Sequence, residues 1–443
     1  LAELKQRREF TVTNRLVLSL AIPTTLAYLS TPLIGIVDTG VVGQLGDAAL
    51  LGGLAIGAVL FDILFSSFNF LRASTVALVA QALGEGEEER QKVVLLRALL
   101  LSATIGLVAL ALGPLVLRLG LWAMDASGAV ASAVAIYFGI RILCAPVTLV
   151  NYAILGWALG LGRGGLGLFL QTVLNGTNIA LSIYMGLSLG WGLAGVAWAT
   201  VIAEALAALV GLSIAWWSTR QYDWPNVARI FDRVALLQLF AVNRDIMIRT
   251  FCLLFSFAFF TAQSARFGEA TLAANAVLMH FFLLSGYFLD GFATAAEQLA
   301  GRAVGARYRP AFDRTVKLTL LWGLVLAGCA TTIYLLTGPV VINILTTAPE
   351  VRKIAHIYLP WAAVTALAGL VAFQMDGVFI GATWSSDMRN MMLLSVVIYL
   401  LVWWFAVPVL GNHGLWLALN VFLAVRGITL YARLPARRRQ SFG

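Results

Sequence analysis

The sequence predicts an all-α polytopic membrane protein, twelve transmembrane helices in two pseudo-twofold-related six-helix bundles. Three observations carry that prediction. Of 443 residues, 60% are hydrophobic and 12% charged, with mean hydropathy +0.89; a soluble domain carries about 25% charged residues. Apolar runs of roughly 20 residues, long enough to span a bilayer, recur along the whole chain. The basic residues are sorted onto one set of loops.

The runs lie at about 16–42, 50–82, 94–117, 129–157, 166–189 and 192–216, then at about 246–265, 271–300, 315–337, 354–380, 391–409 and 412–432. A helix is the only element of this length that satisfies its own backbone in lipid, and barrel strands are about half as long. The first run follows the basic stretch "LAELKQRREF" and exceeds a signal-peptide core, so it reads as a retained span. Loops sharing a side with the N-terminus hold 22 of the 30 Lys and Arg, and the opposite loops hold four. Arg72, Arg141, Arg249 and Arg426 lie within spans. This asymmetry places both termini in the cytoplasm of a multi-pass protein of the cell (inner) membrane. It also accounts for the net charge of +9 without nucleic acid as a partner.

One inter-span segment is long, residues 218–245. Val227, Ile230, Phe231, Val234 and Leu237 recur there at helical spacing with Arg229, Asp232 and Arg233 between them. That pattern fits an amphipathic helix at the cytoplasmic interface. The expected organisation is a six-helix lobe over 1–217, a cytoplasmic amphipathic linker over 218–245, and a second six-helix lobe over 246–443.

The halves resemble each other. "LGDAALLGGLAI" at Leu45 matches "FGEATLAANAVL" at Phe267, and "GVAWA" at Gly195 pairs with "GLWLA" at Gly414. Tyr137, Gly156 and Gly160 recur as Tyr358, Gly377 and Gly381 at a constant offset of 221. An even-numbered unit keeps its orientation when repeated, so the pseudo-twofold axis runs along the membrane normal. Two such bundles facing a central cavity imply alternating access, hence a transporter.

Asp38 interrupts the apolar run "PLIGIVDTGVVGQLG". Its counterpart in the second half is Phe260, so the carboxylate is not needed by the shared fold. Intramembrane carboxylates are expensive and usually functional. Asp38 lies about one turn below the external end of its helix, at 1.5 Å rise per residue. It could therefore be wetted from outside in one state and dry in another, as a proton carrier requires.

"VDTGVVGQLGDAALLGGLAIG" resembles the multidrug and toxic compound extrusion (MATE) family, and closely its DinF branch. "FLRAS" at Phe70, "NRDIMIRT" at Asn243, "FFLLSGYFLDGFATAAEQLAG" at Phe281 and "DGVFIGAT" at Asp376 match as well. The resemblance implies twelve helices in two lobes and export of amphipathic, often cationic compounds, driven by protons or sodium. It places Asp38 on the family's first-helix coupling aspartate and Pro23 on the proline whose bend accompanies coupling. Asn178 and Thr200 fall on polar members of the surrounding N-lobe network. Ser182 stands where the family commonly has a second aspartate, which favours protons over sodium as the coupling ion. Tyr137 and Asn175 complete the expected network.

Other buried polar residues read as follows. Asp62, Arg72, Arg141 and Glu204, two acids and two bases in first-half spans, suggest structural ion pairs, as does Arg249 in the second half. Asp290 and Glu297 share one face of their helix and, with Arg249 and Arg302 nearby in topology, suggest a latch; with Asp376 they are also the secondary coupling or substrate candidates. His280, His356 and His413 are scattered, and neither a Cys cluster nor an HExxH motif appears, so no metal site or cofactor is expected. No P-loop is present for an ATP-driven pump. A lipid-linked saccharide flippase of the same architecture and an intramembrane enzyme are the alternatives. The chain is expected to be no enzyme, a monomer, with small organic substrates and membrane lipid as its partners.

Overall fold

Twelve helices long and apolar enough to cross a membrane run through residues 9–443, the part of the chain that the computed structural model describes. They are α1 (Asn14–Gly43), α2 (Ala48–Glu85), α3 (Glu88–Ala111), α4 (Gly128–Gly160), α5 (Gly164–Ser188), α6 (Gly192–Thr219), α7 (Val227–Ala265), α8 (Glu269–Gly305), α9 (Arg309–Leu345), α10 (Pro349–Gly381), α11 (Ser385–Leu410) and α12 (Asn412–Phe442). All twelve apolar runs became helices, and no strand occurs among the described residues. The protein is therefore a multi-pass membrane protein. The basic N-terminal stretch through Arg8 lies outside the described residues.

Several spans depart from a regular helix where the sequence interrupts it. α2 breaks between Ser66 and Phe70, and α4 tightens to a 3₁₀ turn at Ile142–Cys144, just ahead of Pro146. α5 loosens into a π-turn over Tyr184–Ser188. The segment expected as a separate amphipathic linker is one turn, Val227–Ile230, followed by a helix running unbroken from Arg233 to Ala265. Its apolar positions Val227, Phe231, Val234 and Leu237 are exposed. The turn is tied down by Arg97, whose Nε donates to the Ile230 carbonyl at 2.8 Å.

The helices form two compact units. One comprises Leu26–Leu83 and Glu87–Leu237; the other comprises Gln238–Gly443, Gly84–Gly86 and the described residues through Thr25. The residues of the expected linker are thus shared, 218–237 with one unit and 238–245 with the other. α1 is also shared, divided after Thr25, two residues past Pro23. Its first turns pack on the second unit's own helices: Trp322 Nε1 donates to Asn14 Oδ1 at 3.2 Å, and Thr25 lies against Gly291.

Each unit contains the same close helix contact. A Cβ on Gly156 would sit 2.6 Å from the Arg72 carbonyl oxygen, and one on Gly160 2.8 Å from that of Val76. In the other unit, Gly377 and Gly381 present the same absence of side chain to the carbonyls of Ala293 (2.1 Å) and Glu297 (2.0 Å). Both partners of each contact are displaced by 221 residues. Gly195 against Met185 and Gly414 against Ala406 repeat a third contact. The duplication is therefore a repeat of backbone packing as well as of sequence.

Candidate functional site

Asp38 sits on α1, 5% exposed. Its single side-chain hydrogen bond among the described residues comes from Ser182 on α5, whose Oγ donates to Asp38 Oδ1 at 2.7 Å. One helical turn before Ser182, Asn178 turns its Oδ1 to within 3.5 Å of the same hydroxyl. Asn178 Nδ2 donates to Thr200 Oγ1 on α6 at 2.9 Å, and Thr200 in turn donates to the Val196 carbonyl at 3.3 Å. A continuous polar chain thus links α1, α5 and α6, all inside one unit.

The spacing of the three α5 residues explains how this happens. Asn175, Asn178 and Ser182 recur at i, i+3 and i+7, one face of a helix, and all three are buried. Asn175 serves α1 at a different height, donating to Ser30 Oγ at 2.6 Å. Tyr137 is held apart from the chain: its hydroxyl accepts from Arg141 Nη1 at 2.6 Å. Of the expected network, then, Ser182 meets Asp38 and Asn178 and Thr200 continue the chain from it, while Asn175 and Tyr137 bond elsewhere in the unit. Ser30 was not singled out in the sequence; its hydroxyl in an apolar helix face was the available signal.

The expected pairing of Asp62, Arg72, Arg141 and Glu204 takes a different form. Arg141 makes no salt bridge with Asp62 or Glu204; its guanidinium lies over the Phe61 ring at 4.7 Å and the Tyr137 ring at 5.5 Å. Glu204 Oε2 accepts from Asn151 Nδ2 at 2.6 Å. Arg72 donates to Asn69 Oδ1 at 3.0 Å and to the Tyr28 hydroxyl at 2.7 Å. Aromatic faces thus take the place of an ion pair at Arg141, and a neutral donor does so at Glu204. All four charged residues line one cavity of about 340 Å³ within this unit, with Asn175, Asn178 and Thr200 in its wall. Asp62 is exposed and makes no side-chain hydrogen bond or salt bridge among the described residues.

The second unit treats its carboxylate differently. Asp376 on α10, 3% exposed, receives Arg249 of α7 and Arg426 of α12 on the same oxygen, with Arg249 Nε at 3.0 Å. Arg426 is itself 1% exposed. No partner for Arg426 was legible in the sequence, because spacing along one helix says nothing about which distant helix it faces. On α8, Asp290 is exposed and Glu297 is buried. No cluster of His, Cys, Asp and Glu able to hold a metal occurs among the described residues.

A family model for MatE matches residues 23–184 and 246–405, one stretch from each half of the duplication. The chain belongs to the MatE family. Among curated relatives, DNA damage-inducible protein F of Escherichia coli K12 is 36% identical over 422 residues, covering 93% of this chain and 90% of its own. A probable multidrug resistance protein NorM of Caulobacter vibrioides is 25% identical, covering 94% of this chain and 90% of its own. Among solved structures, a MOP superfamily transporter from Pyrococcus furiosus overlays with a TM-score of 0.88 at 16% identity, over 97% of each chain. A MATE protein in its bent conformation overlays with a TM-score of 0.87 at 18% identity, again over 97% of each. These structural likenesses carry the fold. Family membership, the DinF-like relative and twelve apolar helices make this a transmembrane MATE transporter of the DinF type.

Proposed function

We propose that the protein exports amphipathic, cationic organic compounds in exchange for protons, with Asp38 as the group that carries the proton. The observation that carries this reading is the single neutral partner of a buried carboxylate. A serine hydroxyl serves both forms of that carboxylate. It donates to the ionised form; when Asp38 holds a proton, Asp38 donates to Ser182 Oγ instead, and the serine hydrogen becomes available to Asn178 Oδ1. The change is passed by hydrogen bonds from α1 to α5 and on to α6.

The cavity beside this chain supplies the substrate end. Asp62 offers an unpaired carboxylate, and Phe61, Phe65 and Tyr152 offer aromatic surface, a combination suited to a flat organic cation. Asp376 we assign to structure, since it holds two guanidiniums, one of them buried. A sodium ion needs several oxygen ligands and fixed negative charge to offset its desolvation, and Ser182 adds none. The division of α1 beside Pro23 supports a hinge there, because proline removes a backbone hydrogen bond and bends a helix. Pro23→Ala should slow turnover in vesicles, and unchanged turnover would remove the hinge from the mechanism. We further place the protein in the cell's inner membrane as a monomer, with both termini in the cytoplasm.

Energetically, one proton crossing 100 mV supplies roughly 2.3 kcal/mol, and a tenfold pH difference adds about 1.4 kcal/mol. For one-to-one exchange with a monovalent cation the voltage contribution cancels, leaving about a tenfold gradient. The test is uptake of a fluorescent organic cation into proteoliposomes under a pH gradient alone or a sodium gradient alone. The pH gradient should drive transport; transport driven only by sodium with pH clamped would overturn the proposal.

A further inference from the structure

A second cavity, of about 370 Å³, lies in the first unit where α3 begins, α4 meets α5, and α6 ends. Trp157 lines it, 1% exposed, and its indole Nε1 has no hydrogen-bond partner among the described residues. A buried indole N–H normally finds an acceptor, so this donor is free for a ligand. Arg163, also in the wall, donates one N–H to Ser218 Oγ at 3.0 Å, and the fork of a guanidinium has further donors. Behind the lining segment, buried Lys92 donates to the carbonyls of Thr219 (3.3 Å) and Tyr222 (2.9 Å) and lies 4.5 Å from the Trp224 ring. Its positive charge is thereby fixed in place.

The cavity is not simply an anion site. Glu88 lines it too, exposed and without a side-chain hydrogen bond or salt bridge among the described residues. A ligand that answers every group present carries an anion for Arg163 and the Trp157 N–H, and an ammonium with N–H donors for Glu88. A phosphodiester bearing an ethanolamine has both. A choline headgroup lacks the N–H donors, and a glycerol headgroup lacks the cation. The surroundings indicate a lipid source: Trp216, Trp217 and Trp224 are exposed at this same end, and tryptophans collect at the headgroup level of membrane proteins.

We propose that this cavity binds the headgroup of an ethanolamine phospholipid, with the phosphodiester on Arg163 and Trp157 and the ammonium on Glu88. The test is native mass spectrometry of the delipidated full-length protein, titrated with phosphatidylethanolamine, phosphatidylcholine or phosphatidylglycerol of identical chains. The ethanolamine lipid should bind at least about tenfold more tightly than either of the others, one good charged hydrogen-bonded contact being worth that much. Trp157→Phe keeps an aromatic ring, though a smaller one, and removes the N–H, and should weaken binding severalfold. Glu88→Gln should abolish the preference for ethanolamine over choline while leaving choline-lipid binding unchanged, a result that a general loss of fold could not produce. Arg163→Gln should weaken all three lipids. Equal binding of the three lipids by the wild type, or an unchanged preference in Glu88→Gln, would overturn the proposal. Displacement of the lipid by equimolar soluble glycerophosphoethanolamine would assign the site to a solute and overturn the lipid assignment.

Discussion

Asp38 in one unit and Asp376 in the other are both buried, 5% and 3% exposed, yet the protein equips them for different tasks. Asp38 meets one hydroxyl, which can reverse its role with the proton. Asp376 meets two guanidiniums on one oxygen. Neutralising Asp376 would strand two positive charges, one of them fully enclosed, and an unpaired buried charge is among the costliest defects a protein can carry. Neutralising Asp38 strands nothing. Burial alone therefore does not identify a coupling carboxylate; the identity of its partners does.

The contrast can be broken most severely at Asp38 itself. Asp38→Asn keeps the shape and the hydrogen bond from Ser182 but cannot carry a proton, so pH-driven uptake should fall to the level of empty vesicles while the melting temperature barely moves. Wild-type uptake by this variant would end the comparison. At the other carboxylate the effects should invert. Asp376→Asn should cost about 3–5 kcal/mol of stability, read as a large drop in melting temperature in detergent. A melting temperature within a degree of wild type would show that the two guanidiniums do not depend on it.

How much of this was readable beforehand differs between the two sites. The spans followed from run length alone, and the offset of 221 found in Gly156 and Gly377 reappeared as matched backbone contacts. Asn178 and Ser182 share a helix face by spacing, so their convergence was legible once α5 was known to face α1. That facing is tertiary, and sequence spacing does not contain it. The same gap hid Arg426 from Asp376, 50 residues away on another helix. It also hid the preference of Arg141 for the Phe61 and Tyr137 rings over a carboxylate. Charge counting treats an arginine as a cation seeking an anion, whereas an aromatic face satisfies it as well.

Two smaller effects sharpen the comparison. Ser182→Ala removes the one side-chain hydrogen bond to Asp38 among the described residues, and a buried acceptor left unsatisfied costs about 1–3 kcal/mol. Proton-driven turnover should fall roughly tenfold or more with Asp38 still present, and an unchanged rate would take the serine out of the relay. Asp62→Asn should raise the half-saturating concentration of a cationic substrate about tenfold, as expected for one lost charged contact, while an uncharged substrate is transported as before. Equal effects on both substrates would assign Asp62 to cavity shape instead.

The central claim is that Asp38, and not Asp376, changes its protonation during transport. Infrared difference spectroscopy of the purified protein on addition of substrate reads this directly, through the carbonyl stretch of a protonated carboxylic acid. Wild type should lose one such band when substrate binds, and Asp38→Asn should show no band to lose. A substrate-sensitive band that persists in Asp38→Asn would place the proton on another carboxyl group and contradict the account.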